Sequence, residues 1–225
     1  MGILEAKGIE KIYNPGKSSE VKALRQVDMD IKEGEWISIM GKSGSGKSTL
    51  LHILGLVDKY TSGSLTFDGQ CVDHLGQNKV AEIRMAKVGF ILQDFGLIWN
   101  MNIFDNIATP LYLAKAKKSR IKELVNKVAE ELEISDLLKK KAKTLSGGQC
   151  QRVAIARAIV NDPKIVFADE PTGALDKENA ENIMDIFSKI KEHGTTIIMV
   201  THDKEISQRA DREILISDGR LVLTE

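Results

Sequence analysis

The feature that most constrains the fold is a glycine-rich loop between a predicted strand and a predicted helix. The strand, 36–40, is apolar on both faces, which is typical of a central parallel strand. The loop sequence GKSGSGKST follows at 41–49, and the helical pattern of 48–56 comes directly after it. Without a strand before it and a helix after it, the same loop sequence would predict only a flexible Gly/Ser turn. In this context they predict a phosphate-binding loop.

Each residue type in this loop has a physical reason. Glycines let the backbone curl until several N–H groups point at one anion, and the helix adds its positive N-terminal end. We expect Lys47 to contact the β- and γ-phosphates and Ser48 to supply an oxygen to Mg²⁺. The loop predicts nucleoside triphosphate binding but not the reaction, because kinases, GTPases and motors share it. The expected phosphate-binding residues are Gly41, Ser43, Gly44, Ser45, Gly46, Lys47, Ser48 and Thr49.

Two carboxylates follow a second buried strand. The apolar run 165–168 leads into Asp169 and Glu170, at the strand end where open parallel sheets bind ligands. Here Asp169 is placed to hold Mg²⁺, and Glu170 is placed to polarise an attacking water. The alternative is an acidic pair that caps the next helix. Together with the phosphate-binding loop, the pattern favours γ-phosphate hydrolysis.

The segment Leu145-Ser146-Gly147-Gly148-Gln149 begins a further predicted helix. Ser146 with Gln149 three residues later forms a capping box. Ser146, the two glycines and the helix N-terminus also form a second anion site. The spacing does not say whether this site and Lys47 meet in one molecule or across two.

These motifs, in this order, resemble the nucleotide-binding subunit of ABC transporters, whose signature is Leu-Ser-Gly-Gly-Gln, and the similarity runs along essentially the whole chain. The resemblance implies that Tyr13 stacks on adenine and that His202 contacts the γ-phosphate. It implies that Gln93 links two lobes and senses both Mg²⁺ and the membrane partner. Gly173-Ala174-Leu175-Asp176 is similar to the loop that crosses between subunits, with Asp176 near the nucleotide.

The resemblance also implies an assembly and a reaction. Two Mg-ATP would lie in a head-to-tail homodimer, between the phosphate-binding loop of one subunit and the signature of the other. ATP hydrolysis would drive a separate membrane permease, which docks on a helical lobe. The catalytic residues implied are Glu170, His202, Lys47 and Gln93, and the metal-binding residues are Ser48, Gln93 and Asp169.

The fold expected is a single α/β ABC ATPase domain over 1–225, a P-loop NTPase with a RecA-like parallel-sheet core. An N-terminal antiparallel β subdomain accompanies the core, which comprises 1–93 and 163–225, and an α-helical signature lobe is inserted at 94–162. Alternating apolar residues, broken by glycines and charged turns, predict short antiparallel strands in the first 35 residues. Asp218-Gly219 predicts a hairpin between 214–216 and 221–223.

Composition limits the partners and the location. The chain has 32 basic and 32 acidic residues, so its net charge indicates no nucleic-acid partner. The longest apolar run is far shorter than the roughly 20 residues of a membrane span, and the N-terminus lacks a signal-peptide pattern. We expect a cytoplasmic protein, held at the inner face of the cell membrane by its permease. Cys71 and Cys150 are expected to be free thiols.

Two segments narrow the resemblance. The chain resembles the subgroup of macrolide exporters, lipoprotein-release systems and bacitracin-type antimicrobial-peptide exporters. The resemblance lies in the segment 170–176 and in the segment 90–97, which is followed by Asn106 and Pro110. This implies export or extraction of a peptide, antibiotic or lipoprotein-like substrate. The alternative is an ATP-driven regulator that acts through a non-transporting membrane partner. A soluble ABC ATPase for DNA repair or translation would usually carry long coiled-coil insertions or two cassettes, and this chain has neither.

Two departures from the family pattern stand out. Cys150 lies on the signature helix where the family commonly has a polar residue, and it is expected to make the site sensitive to thiol reagents. The run Trp99-Asn100-Met101-Asn102 is unusual and lies where the permease should dock. Trp99, Met101 and Phe104 are either core of the helical lobe or an apolar surface for that partner.

Overall fold

The computed structural model describes residues 2–222, which form two compact units, 2–84 with 196–222 and 85–195. Among these residues, no helix is both long and apolar enough to cross a bilayer. The elements, in chain order, are β1 Gly2–Tyr13, β2 Val21–Lys32, β3 Trp36–Met40, α1 Lys47–Leu54, β4 Ser62–Phe67, β5 Gln70–Cys71, α2 Gln77–Lys87, β6 Val88–Ile91, α3 Ile103–Leu113, α4 Lys118–Glu131, α5 Gly147–Ile159, β7 Ile165–Asp169, α6 Lys177–Glu192, β8 Thr196–Val200, α7 Lys204–Ser207, β9 Arg212–Ser217 and β10 Arg220–Val222, with 3₁₀ turns at Ser135–Leu137 and Ala142–Thr144.

The first unit contains an antiparallel sheet with strand order β2-β1-β4-β5. An antiparallel sheet was expected here, but the prediction of short strands is wrong, because β1 and β2 each have 12 residues. Gly8, with φ +59°, and Gln26, with φ +52°, take left-handed conformations where the β1–β2 register shifts. These residues lie in β-bulges, where a strand bends but continues.

The same unit contains a second sheet segment, in which β3 pairs in parallel with both β8 and β9. All five residues of β8 are buried, and so are the first four of β3, as the apolar runs predicted. β9 and β10 form the predicted hairpin, with Asp218 and Gly219 at φ +48° and +76° in its turn. Leu223, which was predicted to extend β10, lies outside the described residues.

The second unit pairs β6 with β7 in parallel, with Ile91 opposite Ala168. α3, α4 and α5 all lie within 94–162 and pack on one another, and their buried faces follow helical spacing. In α4, for example, Ile121, Val125 and Val128 are buried. The boundaries of a separate helical lobe at 94 and 162 stay a prediction.

Candidate functional site

The phosphate-binding loop leaves the end of β3 and enters α1 within the first unit. Gly46 has a φ of +106°, and a Cβ at this position would lie 2.6 Å from the carbonyl oxygen of Ala23, so only glycine fits. Lys47 is 8% exposed, and its Nζ donates to the carbonyl oxygens of Gly41 and Lys42 at 2.8 and 2.9 Å. The lysine therefore lies inside the curl of the loop, with its cation held by backbone oxygens.

The residues of this loop fit a bound phosphate. The Oγ of Ser45 is buried, and within residues 2–222 no protein group hydrogen-bonds to it. Gly46 precedes the first turn of α1 and has no side chain to cap it, so the first N–H groups of the helix are available to an anion. Ser48, in that first turn, exposes a hydroxyl of the kind that binds Mg²⁺ in such sites.

His202 follows the strand beside β3. β3 and β8 are parallel neighbours, with Ile39 opposite Val200, so the residues that follow both strands emerge at one edge of the sheet. Thr201 is buried and its N–H donates to the carbonyl of Ile39, which fixes where His202 leaves the sheet. The sequence prediction placed Lys47 and His202 at one site, and the topology of this unit puts their segments at the same edge.

Tyr13 lies at the end of β1 and is 38% exposed. Its hydroxyl donates to Oδ2 of Asp58 at 3.1 Å, and the Nζ of Lys11 lies 4.7 Å from the centre of its ring. Neither Lys11 nor Asp58 was identified from the sequence, because nothing in the local pattern relates β1 to the segment after α1.

In the second unit, Gln93 and Glu170 lie together. Parallel pairing of β6 with β7 brings the ends of the two strands side by side. The Nε2 of Gln93 donates to Oε2 of Glu170 at 3.3 Å. Glu170 has a φ of +46°, a left-handed conformation that is costly for a residue with a side chain and that recurs at functional sites. Asp169 is the last residue of β7, so both predicted carboxylates lie at the strand end.

The signature segment begins α5 as predicted. Ser146 caps the helix: its Oγ accepts the N–H of Gln149 at 3.4 Å, and the Gln149 side chain accepts the N–H of Ser146 at 3.1 Å. The capping box is thus confirmed. A Cβ on Gly148 would lie 2.8 Å from Oδ1 of Asn179, so the second glycine allows close approach to α6.

Asp176 lies next to the signature. It caps α6 by accepting the N–H of Asn179 at 2.9 Å, and this backbone hydrogen bond holds the pKa of its carboxyl below the usual value. A Cβ on Gly147 would lie 3.5 Å from the side chain of Leu175, so the loop 173–176 and the start of α5 adjoin. The two segments that were expected to face a second subunit therefore lie side by side within one unit.

Cys150 corrects one expectation. The residue lies on α5 as predicted, but it is 3% exposed and its Sγ faces the carbonyl of Ala142 at 4.0 Å. Burial raises the pKa of this thiol, which lowers the fraction of the reactive thiolate. The expected sensitivity to thiol reagents through Cys150 is therefore wrong for this folded state, whereas Cys71 is exposed.

Arg157 is a further residue that the sequence did not single out. From the third turn of α5, it donates through Nη2 to the carbonyl of Phe95 at 2.8 Å and through Nη1 to the carbonyl of Gly96. Burial lowers the pKa of this guanidinium and Asp94 opposes the shift. Arg157 thus fixes the turn that follows Gln93.

The segment after that turn is organised by Asn106, which is fully buried in α3. Its Oδ1 accepts the N–H of Ile98 at 2.8 Å, and its Nδ2 donates to the carbonyls of Ile98 and Asn102 at 3.1 and 3.0 Å. The side chain of Trp99 is 47% exposed in this loop, while Phe104 is half-buried. Trp99 therefore belongs to the surface of this unit and not to its core.

Replacing Asn106 with leucine is expected to lower the free energy of unfolding by about 3 kcal/mol, because it removes three buried side-chain hydrogen bonds, to the N–H of Ile98 and to the carbonyls of Ile98 and Asn102, of about 1 kcal/mol each. The corresponding fall in Tm, measured by calorimetry, is about 10 °C. Asn100→Leu, at an exposed position of the same loop, is the control and should change Tm little. Equal Tm values for the two variants would contradict this account of the loop.

Comparison with known proteins identifies the class. A model of the ABC transporter family matches residues 24–173. The ATP-binding protein LolD of the lipoprotein-releasing system of Aquifex aeolicus is 42% identical, over 98% of this chain and 96% of its own length. The macrolide export ATP-binding/permease protein MacB of Aggregatibacter actinomycetemcomitans is 41% identical over 99% of this chain, which spans 34% of that longer protein.

Solved structures agree with this assignment. A dimeric structure of MJ0796, a bacterial ABC transporter cassette, matches with a TM-score of 0.90 and 38% identity, covering 99% of this chain and 97% of that one. A dimeric post-hydrolysis state of MJ0796 bound to ADP and Pi matches with a TM-score of 0.91, 37% identity and the same coverage. The chain therefore belongs to the ABC transporter family, and the predicted α/β fold with its antiparallel subdomain is confirmed.

Within that family the chain is an ABC ATPase, which binds ATP together with Mg²⁺, the standard metal of the family. Its relatives include LolD, MacB and ABC ATP-binding proteins without an assigned role, so the predicted subgroup is also confirmed.

Proposed function

We propose that this chain is the ATP-hydrolysing subunit of a transporter, that it forms a head-to-tail homodimer around two Mg-ATP, and that it powers a separate membrane permease. The observation that carries the proposal is the contact between Gln93 and Glu170, at 3.3 Å. It joins the residue proposed to respond to the membrane partner to the residue proposed to activate water.

In the proposed site, Lys47 turns from the carbonyls that hold its Nζ and donates to the β- and γ-phosphates. The N–H groups of the loop and of the first turn of α1 bind the same anion. Ser48, Asp169 and Gln93 are proposed to hold Mg²⁺ through side-chain oxygens. The bound metal would neutralise negative charge on the phosphates.

Glu170 is proposed to accept the proton of the attacking water, as a carboxylate base does in γ-phosphate hydrolysis. Its left-handed backbone conformation sets the direction in which its side chain leaves β7. His202, which emerges at the end of β8, is proposed to contact the γ-phosphate. Tyr13, exposed at the end of β1, is proposed to stack on adenine.

The second subunit is proposed to close each site with Ser146, Gly147, Gly148 and Gln149, and with Asp176. Two findings support this half of the site. The capping box fixes Ser146 at the positive N-terminal end of α5, and the loop 173–176 adjoins it. The dimeric structures of the MJ0796 cassette support the assembly by similarity.

The proposed permease binds the second unit and places the chain at the inner face of the membrane. Four large apolar side chains of this unit are exposed, which supports a protein partner on it. They are Ile98 and Trp99 in the loop before α3, and Tyr112 and Leu113 at the end of α3. The relatives MacB and LolD, named for macrolide export and lipoprotein release, support export or extraction of an antibiotic, a peptide or a lipoprotein-like substrate.

We expect a permease candidate encoded beside this chain to co-purify with it after co-expression, and Trp99→Ser to weaken this co-purification, because the indole lies on the proposed docking surface. Val21→Ser, at a comparably exposed apolar residue of β2, is the control and should leave it unchanged. If the partner stimulates ATP turnover only when one candidate compound is present, transport of that compound is supported.

If no compound stimulates turnover and the partner instead activates another protein, the alternative function as an ATP-driven regulator is supported.

A further inference from the structure

We propose that Lys11 and Asp58 are positioning residues for the adenine-binding ring, and that they hold Tyr13 so that one ring face is offered to the base. The proposal rests on the proposed function, in which Tyr13 stacks on adenine. It assigns a role to two residues outside the motifs that identify the family.

Asp58 is the centre of the arrangement. Its Oδ2 accepts the hydroxyl proton of Tyr13 at 3.1 Å and lies 2.8 Å from the Nζ of Lys11. Its Oδ1 accepts the N–H of Lys59 at 2.7 Å and a further bond from Lys11 at 2.9 Å. Partial burial raises the pKa of this carboxyl, whereas the bonds from Lys11, Lys59 and Tyr13 lower it, and the net direction is downward. Asp58 is therefore held as a carboxylate.

Lys11 determines which face of the ring remains open. Its Nζ lies over the Tyr13 ring, 4.7 Å from the centroid, where the negative face of an aromatic ring attracts a cation. The Lys11 side chain is 12% exposed, so most of it is covered by protein. An aromatic ring has two faces, and a base must stack on the face that lacks the cation.

The arrangement is anchored to the helix that carries the phosphate-binding lysine. This helix, α1, begins at Lys47 and ends at Leu54. In the segment that follows it, the N–H of Asp58 donates to the carbonyl of His52, in the last turn of the helix, at 3.1 Å. β1 is tied to the same segment, because the N–H of Ile12 donates to Oγ1 of Thr61 at 2.9 Å. The carboxylate that orients the ring is therefore fixed to the C-terminal end of the helix whose N-terminal end is proposed to bind phosphate.

Changes to these three residues should weaken binding of the base without changing binding of the phosphates. Asp58→Asn removes the charge that holds Lys11, Lys11→Met removes the cation but keeps an unbranched stem, and Tyr13→Phe keeps the ring but removes the hydroxyl. Each variant is expected to raise the Kd for Mg-ATP about threefold to tenfold, because the ring loses its fixed orientation. The Kd for Mg-triphosphate, which has no base, should not change.

Both Kd values are measured by isothermal titration. The control is Glu10→Gln, which alters a carboxylate of β1 that accepts the Ser62 hydroxyl at 2.8 Å, and it should change neither Kd. Lys47→Ala should weaken both ligands. An increase in Kd for ATP alone in the Asp58 and Lys11 variants supports the proposal.

Three other outcomes overturn it. If Tyr13→Ala weakens ATP selectively but the Asp58 and Lys11 variants do not, the positioning role is wrong and the proposed adenine site stands. If Tyr13→Ala has no selective effect, the adenine site itself is wrong. If Asp58→Asn weakens ATP and triphosphate equally, Asp58 acts on the phosphate-binding loop and not on the ring.

Discussion

Replacing Glu170 with glutamine is expected to reduce ATP turnover by about 10²–10⁴-fold and to leave ATP binding intact. Glutamine has nearly the same shape and keeps an oxygen that can accept the hydrogen bond from Gln93, but it cannot take a proton from water. We propose that ATP binding closes the dimer and that hydrolysis opens it. The Glu170→Gln chain should therefore accumulate as a dimer in the presence of Mg-ATP.

Light scattering after size-exclusion chromatography measures the dimer, and phosphate release measures turnover. Glu123→Gln is a suitable control, because this exposed carboxylate of α4 pairs with Arg120 on the same helix, at 2.6 Å, in a contact of small energetic value. It should behave as the unaltered chain in both measurements. Wild-type turnover by the Glu170→Gln chain would show that Glu170 is not the base.

Replacing Lys47 with alanine is expected to remove most of the affinity for ATP. Charge-assisted hydrogen bonds contribute about 1.5–3 kcal/mol, so the Kd should rise by about 10- to 150-fold. Lys47 also holds two loop carbonyls, so the Tm of the variant must be measured beside its affinity. Lys22→Ala, at an exposed lysine of β2, is the control, and unchanged ATP affinity in the Lys47→Ala chain would contradict the phosphate-binding role.

The proposed head-to-tail arrangement gives Lys47→Ala a second test. Ser146→Arg places a bulky side chain at the cap of α5, and neither variant alone should turn over ATP. In a mixed dimer, one site combines both defects, and the other combines an intact Lys47 with an intact Ser146. Mixing the two chains should therefore restore turnover. Mixed dimers without activity would argue against a site shared between subunits.

Local patterns predicted the parts of the structure that depend on neighbouring residues. β3, the loop after it and α1 follow one another within twenty residues or so, and the cap formed by Ser146 and Gln149 needs only a three-residue spacing. The turn at Asp218 and Gly219 is local in the same way. In each case, the contact that defines the feature joins residues that are close in the chain.

The features that the sequence did not predict join distant segments. The contact of Tyr13 with Asp58 depends on how β1 packs beside the segment after α1, and the contact of Arg157 with Phe95 crosses from α5 to the turn after β6. The burial of Cys150 against Ala142 depends on how α5 packs. Knowing that the family commonly has a polar residue at this position does not predict that packing. Motif resemblance located Gln93 and Glu170, but only the pairing of β6 with β7 showed that they touch.

The hydrogen bond between Gln93 and Glu170 has a thermodynamic consequence. If a membrane partner binds one position of Gln93 more tightly than another, it changes the free energy of the Glu170 carboxylate that the glutamine contacts. Linkage is reciprocal, so binding of a ligand at that carboxylate changes the affinity for the partner by the same factor. In the proposed function, this 3.3 Å contact of two side chains would make partner affinity and nucleotide affinity two measurements of one coupling free energy.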